Sequence, residues 1–246
     1  MEKYRFSKLF YGSIAIIALF IVQVFAGKFG SFVADLFSYE KFDIYGAFAG
    51  ISVHHVVQMI IALAIIVALS KLLKVDFGFN LGDVKKGTYY LVAFTVVFAI
   101  ITVIVHVLML LNNQLPVYDY PLNVKNIMGT LGFQLFLSGT SEEILYRALP
   151  VTVLVYVFGK SVNIKWNITL EVILAAVLFS IAHTKWSLFP LAIEVDYFRL
   201  LYAFVLGTIN GIAYQQSRSV LYPMLMHSIS NVLMVGTGYL FIMFLA

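Results

Sequence analysis

Apolar residues run through this chain in long blocks, and most of the blocks are stopped by a short cluster of charge. Leu9 to Ala26 is apolar apart from Ser13 and Gln23. Ala47 to Ser70 closes on Lys71 and Lys74, and Thr88 to Leu111 carries His106 near its far end. Further blocks cover Ile127 to Gly159, Ile168 to Ala182, Leu200 to Gln215 and Val220 to Leu245. A helix needs roughly 20 apolar residues, at about 1.5 Å each, to cross a hydrocarbon core of about 30 Å. The pattern therefore predicts seven membrane helices. At about 50 Å, Ile127 to Gly159 exceeds one straight span, and Pro150 is expected to break or kink it, which would make eight. Residues 27–46 mix Lys28, Asp35, Glu40, Lys41 and Asp43 with aromatics and predict an interfacial loop. Val75–Gly87 and Lys160–Trp166 predict loops, Asn112–Asn126 with Pro116 and Pro121 a turn-rich one, and Lys185–Arg199 an interfacial segment with Glu194 and Asp196.

Composition supports this reading. Hydrophobic residues make up 62% and charged residues 11%, against about 25% charged in a soluble domain. The blocks are too long for barrel strands. The expected fold is all-α: one polytopic membrane domain over 1–246, with N-terminal helices in 1–126 and a candidate catalytic core in 127–246. Lys3, Arg5 and Lys8 ahead of the first block, with Val24-Phe25-Ala26 after it, have the outline of a signal peptide. The block is long for that, and a retained helix is expected. The net charge of +4 does not point to nucleic acid, because Lys and Arg are scattered between the apolar blocks. Lys3, Arg5, Lys8, Lys71, Lys74, Lys85, Lys86, Lys160, Lys165 and Arg218 fall on one side. They outnumber Lys28, Lys41, Lys125, Lys185 and Arg199 on the other, which predicts a cytoplasmic N-terminus in the cell membrane. Cysteine is absent, which excludes disulfides, thiolate nucleophiles and Cys-ligated metals.

Ser141-Glu142-Glu143-Ile144-Leu145-Tyr146-Arg147 interrupts the pattern. It places two carboxylates and a guanidinium where the flanking residues 127–140 and 148–159 carry no charge. A charge at helix depth in lipid costs about 2.5–3.5 kcal/mol on insertion scales, so the group needs partners. Glu143 and Arg147 are i,i+4 and suit a neutralising pair on one helix face. Glu142 points elsewhere and is left as a candidate general base. Candidate partners are His183, His227 and Asn231, of which the last two share a helix face one turn apart. A histidine beside Glu142 would help it take a proton from water, and a second histidine with an asparagine amide would donate to a tetrahedral oxyanion. His54 and His55 point about 100° apart, so at most one faces any given site. The plain reading of both is polar packing, and a proton relay or substrate contact is the other. Catalysis, an ion pathway and interhelical packing all remain open for the wider set.

Glu142-Glu143-x-x-x-Arg147, Phe179-x-x-x-His183 and His227-x-x-x-Asn231 resemble, in order and rough spacing, three motifs of the CAAX-prenyl-protease and bacteriocin-processing (CPBP, or Abi) family of intramembrane proteases. The resemblance covers about Gly129 to Val235 and includes Gly207, Gly211 and Pro223. It implies a helical membrane protease whose site opens toward the cytoplasm. It further implies that Glu142 activates water with His183, that His227 and Asn231 form the oxyanion hole, and that Glu143 and Arg147 support the site. The implied partners are a prenylated CAAX-type tail or a small membrane-associated peptide precursor, and the bilayer.

Other functions stay in view. No cofactor is expected, although Glu142, His183 and His227 would offer zinc two imidazoles and a carboxylate; there is no His-Glu-x-x-His helix to strengthen that version. A non-catalytic scaffold or immunity protein, and a proton-coupled transporter using His54, His55 and the glutamates, are the alternatives. The predicted topology also sets a problem of depth. His227 falls about 10 Å from the cytoplasmic end of its helix and His183 about fifteen residues from its own, so these helices must tilt or start at different heights to meet.

Overall fold

A computed structural model describes residues 2–188 and 191–245. Its helices are α1 (Glu2–Asp35), α2 (Ala49–Leu73), α3 (Val84–Leu111), α4 (residues 124–158), α5 (Leu170–Ala182), α6 (Tyr197–Ser217) and α7 (Leu221–Leu245). The chain is an all-α bundle with almost no sheet. Two small antiparallel hairpins were not expected. Asn163–Lys165 (β1) pairs with Ile168–Thr169 (β2), and Lys185–Leu188 (β3) with Leu191–Glu194 (β4). The first occupies the loop anticipated after residue 160. Trp166 and Asn167 both adopt positive φ there, the backbone that a two-residue hairpin turn demands. The second lies in the segment read as interfacial, and positions 189–190 fall outside the described residues.

α1 continues through Asp35, although residues 27–46 read as a loop. Charge concealed a stripe of buried residues, Leu19, Gln23, Ala26, Gly30 and Ala34, spaced three or four apart. That stripe packs on α2 so closely that a Cβ on Gly30 would lie 2.8 Å from the His54 carbonyl oxygen. The loop is confined to residues 36–48 and ends in an acidic cap. The buried Asp43 carboxylate accepts the backbone N–H groups of Ala47 (2.8 Å), Phe48 (2.9 Å) and Ala49 (2.6 Å), fixing where α2 begins. At α3, Asp83 caps the first turn by accepting from the Lys86 N–H.

Pro150 does not break α4. The helix passes from α geometry (Val124–Phe133) to π (Gln134–Ser138), back to α (Gly139–Glu143), to π again (Ile144–Ala148), and ends as α (Leu149–Phe158). Proline has no N–H to give to the carbonyl four or five residues earlier. Side chains take those places: Arg147 Nη1 donates to the Tyr146 carbonyl at 3.0 Å and Gln23 Nε2 to the Leu145 carbonyl at 3.4 Å. The proline thus leaves acceptors for a buried arginine and for α1 while the helix runs on.

Phe10–Asp35, Ala49–Leu73, Val84–Leu111 and Leu221–Leu245 are long and apolar enough to cross a membrane. α5 is a shorter apolar helix. α6 carries Asn210, Gln215 and Gln216, and α4 is interrupted by its charged cluster. α3 buries Phe98, Thr102 and His106 while exposing Val92, Val96, Ile100 and Val103, an apolar outer face that fits lipid rather than water. The protein is a membrane protein. Its core gathers around α4, where Leu145, Ala148, Leu149 and Leu154 meet Leu19 of α1, Ala62 of α2, and Val172 and Ala175 of α5.

Candidate active site

The two π segments of α4 flank the short α turn Gly139–Glu143 that carries both carboxylates. Gly139 lets this turn approach α7. A Cβ there would meet Ser228 Oγ at 2.6 Å and its backbone nitrogen at 2.7 Å. Two glycines of α6 allow a similar approach on another side. A Cβ at Gly211 would sit 2.7 Å from Val172, and one at Gly207 would crowd Phe179, Ala176 and the Arg147 guanidinium at 3.2–3.3 Å. The small-residue spacing of α6 thus makes room for the buried arginine as well as for α5.

The adjacent glutamates have different surroundings. Glu143 is fully buried and held from three directions: Arg147 Nε at 3.2 Å, His227 Nδ1 at 2.8 Å, and the Asn210 amide, which donates to Oε1 at 3.1 Å. Arg147 is also fully buried, and its guanidinium lies 4.1 Å from the centre of the Phe179 ring. This packing gives it a cation–π partner in addition to the carboxylate. Glu142 keeps 16% of its side-chain exposure, enough to be reached. His55 Nε2 faces Oε1 at 3.9 Å, and His227 Nε2 faces Oε2 at 3.7 Å.

His183 caps the end of α5, with its Nδ1 2.9 Å from the Phe179 carbonyl oxygen. Its ring lies edge-on to Phe179 at 4.5 Å, and the His227 ring meets the same phenylalanine at 6.1 Å. α5 is short and ends at Ala182, and Phe179 on its last turn links the two histidines, since its ring meets both His183 and His227 of α7. Asn231 donates to Ser138 Oγ at 3.0 Å, leaving one amide hydrogen uncommitted by that bond. All six residues singled out in the sequence (Glu142, Glu143, Arg147, His183, His227 and Asn231) come to this one region.

Three contributors were missed, and a fourth was given the blander reading. Ser138 and Ser141 sit beside the acidic pair, and Asn210 lies between the two α6 glycines; only its place on that close-packing face signals it. His55 reads in the sequence as packing, yet it touches the candidate base. His54 turns the other way, to Ser31 Oγ at 3.2 Å. Among the described residues, no three His, Asp or Glu side chains converge as a metal-binding group.

Residues 124–233 match a family model described as Rce1-like, the type II CAAX prenyl endopeptidases. The chain carries an Rce1-like domain. That domain contains every residue of the three motifs and Asn210 as well, but not His55, which belongs to α2. The match supports a CAAX-type intramembrane endopeptidase in general terms. Comparison with curated proteins and with solved structures found no match.

Proposed function

We propose that the protein hydrolyses a peptide bond in a prenylated CAAX-type tail or a small membrane-associated peptide precursor, with Glu142 as the general base. The observation that carries this reading is the contrast between the two glutamates. Glu143 is committed to Arg147, His227 and Asn210, whereas Glu142 is reachable and ringed by imidazoles. Glu142, with His183 nearby, takes a proton from water, and the resulting hydroxide attacks the scissile carbonyl carbon. The tetrahedral oxyanion accepts hydrogen bonds from His227 Nε2 and the Asn231 amide. Collapse breaks the C–N bond, and the proton held by Glu142 passes to the leaving amine. His227 Nδ1 already donates to the Glu143 carboxylate, so an Nε2–H donor requires the imidazolium. Its charge then offsets that of Glu142.

A groove of about 360 Å³ adjoins this region through His54, Tyr146 and Thr184, with Phe20, Val24, Leu178 and Ile181 on its walls. It offers an apolar tail a place beside the site. Its α1 residues Lys28 and Ser31 lie toward the end of that helix away from the N-terminus. A cytoplasmic N-terminus, as charge favours, would therefore turn the groove away from the cytoplasm. Of the two expectations about orientation we retain the charge-based one. The reading is tested by incubating purified protein with a prenylated CAAX peptide and with a leader-type peptide, then mapping products by mass spectrometry. Cleavage at one defined bond is the expected result. Intact peptides together with proton-coupled uptake in liposomes would replace the protease by a transporter.

A further inference from the structure

The two carboxylate oxygens of Glu142 are faced by imidazoles from different helices, and one of those helices lies outside the Rce1-like segment. His55 of α2 is buried, with its ring edge-on to Phe133 at 5.0 Å and to His54 at 5.1 Å. Its Nδ1 lies 2.6 Å from Ser141 Oγ, and the Ser138 carbonyl oxygen lies farther from the same hydroxyl, at 3.2 Å. With the hydroxyl hydrogen directed to the nearer acceptor, Ser141 Oγ–H donates to His55 Nδ1, and the ring proton sits on Nε2. That fixes the ring orientation and aims Nε2 at Glu142 Oε1, 3.9 Å away. On the other flank, His227 Nε2 of α7 lies 3.7 Å from Oε2. Arg147 and Tyr146 of α4, His183 at the end of α5 and His54 of α2 also act electrostatically on this carboxylate.

We propose that His55 is a positioning residue for the cleavage reaction: locked by Ser141, it holds Glu142 Oε1 and leaves Oε2, the oxygen on the His227 side, as the atom that takes the proton. The inference rests on the reading of Glu142 as the general base. It adds that the Rce1-like segment is not a complete site, because α2 supplies a side chain that sets the carboxylate's position. A displacement of about 1 Å at a reacting group costs on the order of 10²-fold in rate, so a single lateral contact has a measurable consequence.

Two amide substitutions separate the halves of this contact. In His55→Asn the amide oxygen takes the place of Nδ1 and keeps the bond from Ser141, but nothing reaches Glu142. In His55→Gln the amide nitrogen takes the place of Nε2 and reaches the carboxylate. With the full-length protein and the prenylated peptide, His55→Ala and His55→Asn should lower kcat roughly 10- to 100-fold, with KM changed by less than about twofold. His55→Gln should recover most of the loss, and all three should bind peptide and unfold cooperatively. If His55→Ala fails to fold, the Asn and Gln pair still decides, since each retains a polar side chain. Wild-type kcat in His55→Asn would overturn the proposal by showing that only the bond to Ser141 matters. A His55→Gln variant no faster than His55→Asn would overturn it too. Either result leaves the role of Glu142 intact. Full activity in Glu142→Gln, by contrast, would remove the underlying reading, and this proposal with it, without reference to any His55 variant.

Discussion

His55 and His106 occupy comparable places in the sequence, each a polar residue in a long apolar block, and both are buried in the bundle. They differ in what the neighbouring helices bring. His106 Nδ1 lies 2.9 Å from the carbonyl oxygen of Thr102 on its own helix, and its ring rests against Phe241 of α7. Its surroundings are neutral. Tyr118 and Tyr239 pack at 4.9 Å, and Tyr120 and Tyr239 share a hydroxyl–hydroxyl bond of 2.7 Å. His55 instead meets a serine that orients it and a carboxylate. One histidine fills an interhelical gap, while the other joins a cluster that holds two acids and a guanidinium. A buried histidine in a membrane helix acquires its role from its partners, and the partners come from distant parts of the chain.

The comparison can be broken most severely at the acids. Replacing Glu142 by Gln should lower the cleavage rate by about 10²–10⁴-fold, the usual contribution of general acid–base catalysis, while unfolding in detergent stays close to that of wild type. Arg147→Met should act through stability. It strands Glu143 in a fully buried position with only His227 and Asn210, and loss of one partner of a buried ion pair costs about 3–5 kcal/mol. Chemical denaturation in detergent would measure this, and an unchanged midpoint would mean that Glu143 does not depend on its arginine.

Asp43 tests how firmly α2 presents His55. Burial raises the carboxyl's proton affinity, but the three backbone N–H donors outweigh it and hold the group below the ordinary carboxylate range. The folded form is thus favoured above the unfolded-state pKa, and this contribution is lost as pH falls through the lower folded value. Asp43→Ala should cost about 0.5–2 kcal/mol, as loss of a helix cap does, and should flatten the acid limb of stability against pH. The smallest effect belongs to the neutral cluster. His106→Phe should leave cleavage within about twofold of wild type and stability within about 1.5 kcal/mol, the scale of one hydrogen bond. A tenfold loss of activity there would erase the distinction between the two histidines.

Much of this architecture was legible in the chain. The apolar blocks correspond to the helices, Gly207 and Gly211 mark the close approach of α5 and α6, and the i,i+4 spacing of Glu143 and Arg147 matches their ion pair. Some features had no local signature. The continuation of α1 was hidden because its buried stripe is made of small residues among charges. Pro150 sits within a continuous α4 because Gln23 and Arg147 occupy the carbonyls it leaves, a solution that involves another helix. His54 and His55 are neighbours in sequence, and only the rotation of α2 about its axis decides which one reaches Glu142. The Asn210–Glu143 bond joins residues far apart in the chain, and the glycines beside Asn210 mark a close-packed face without naming the partner across it.

The central claim is that Glu142 activates water directly. The most direct measurement is single-turnover cleavage of the prenylated peptide by purified protein in excess chelator, with Glu142→Gln in parallel. The account predicts that wild type cuts one defined bond at an undiminished rate in chelator and that Glu142→Gln releases no product on the same timescale. Product from Glu142→Gln would contradict it, as would wild-type activity that chelator abolishes and zinc restores.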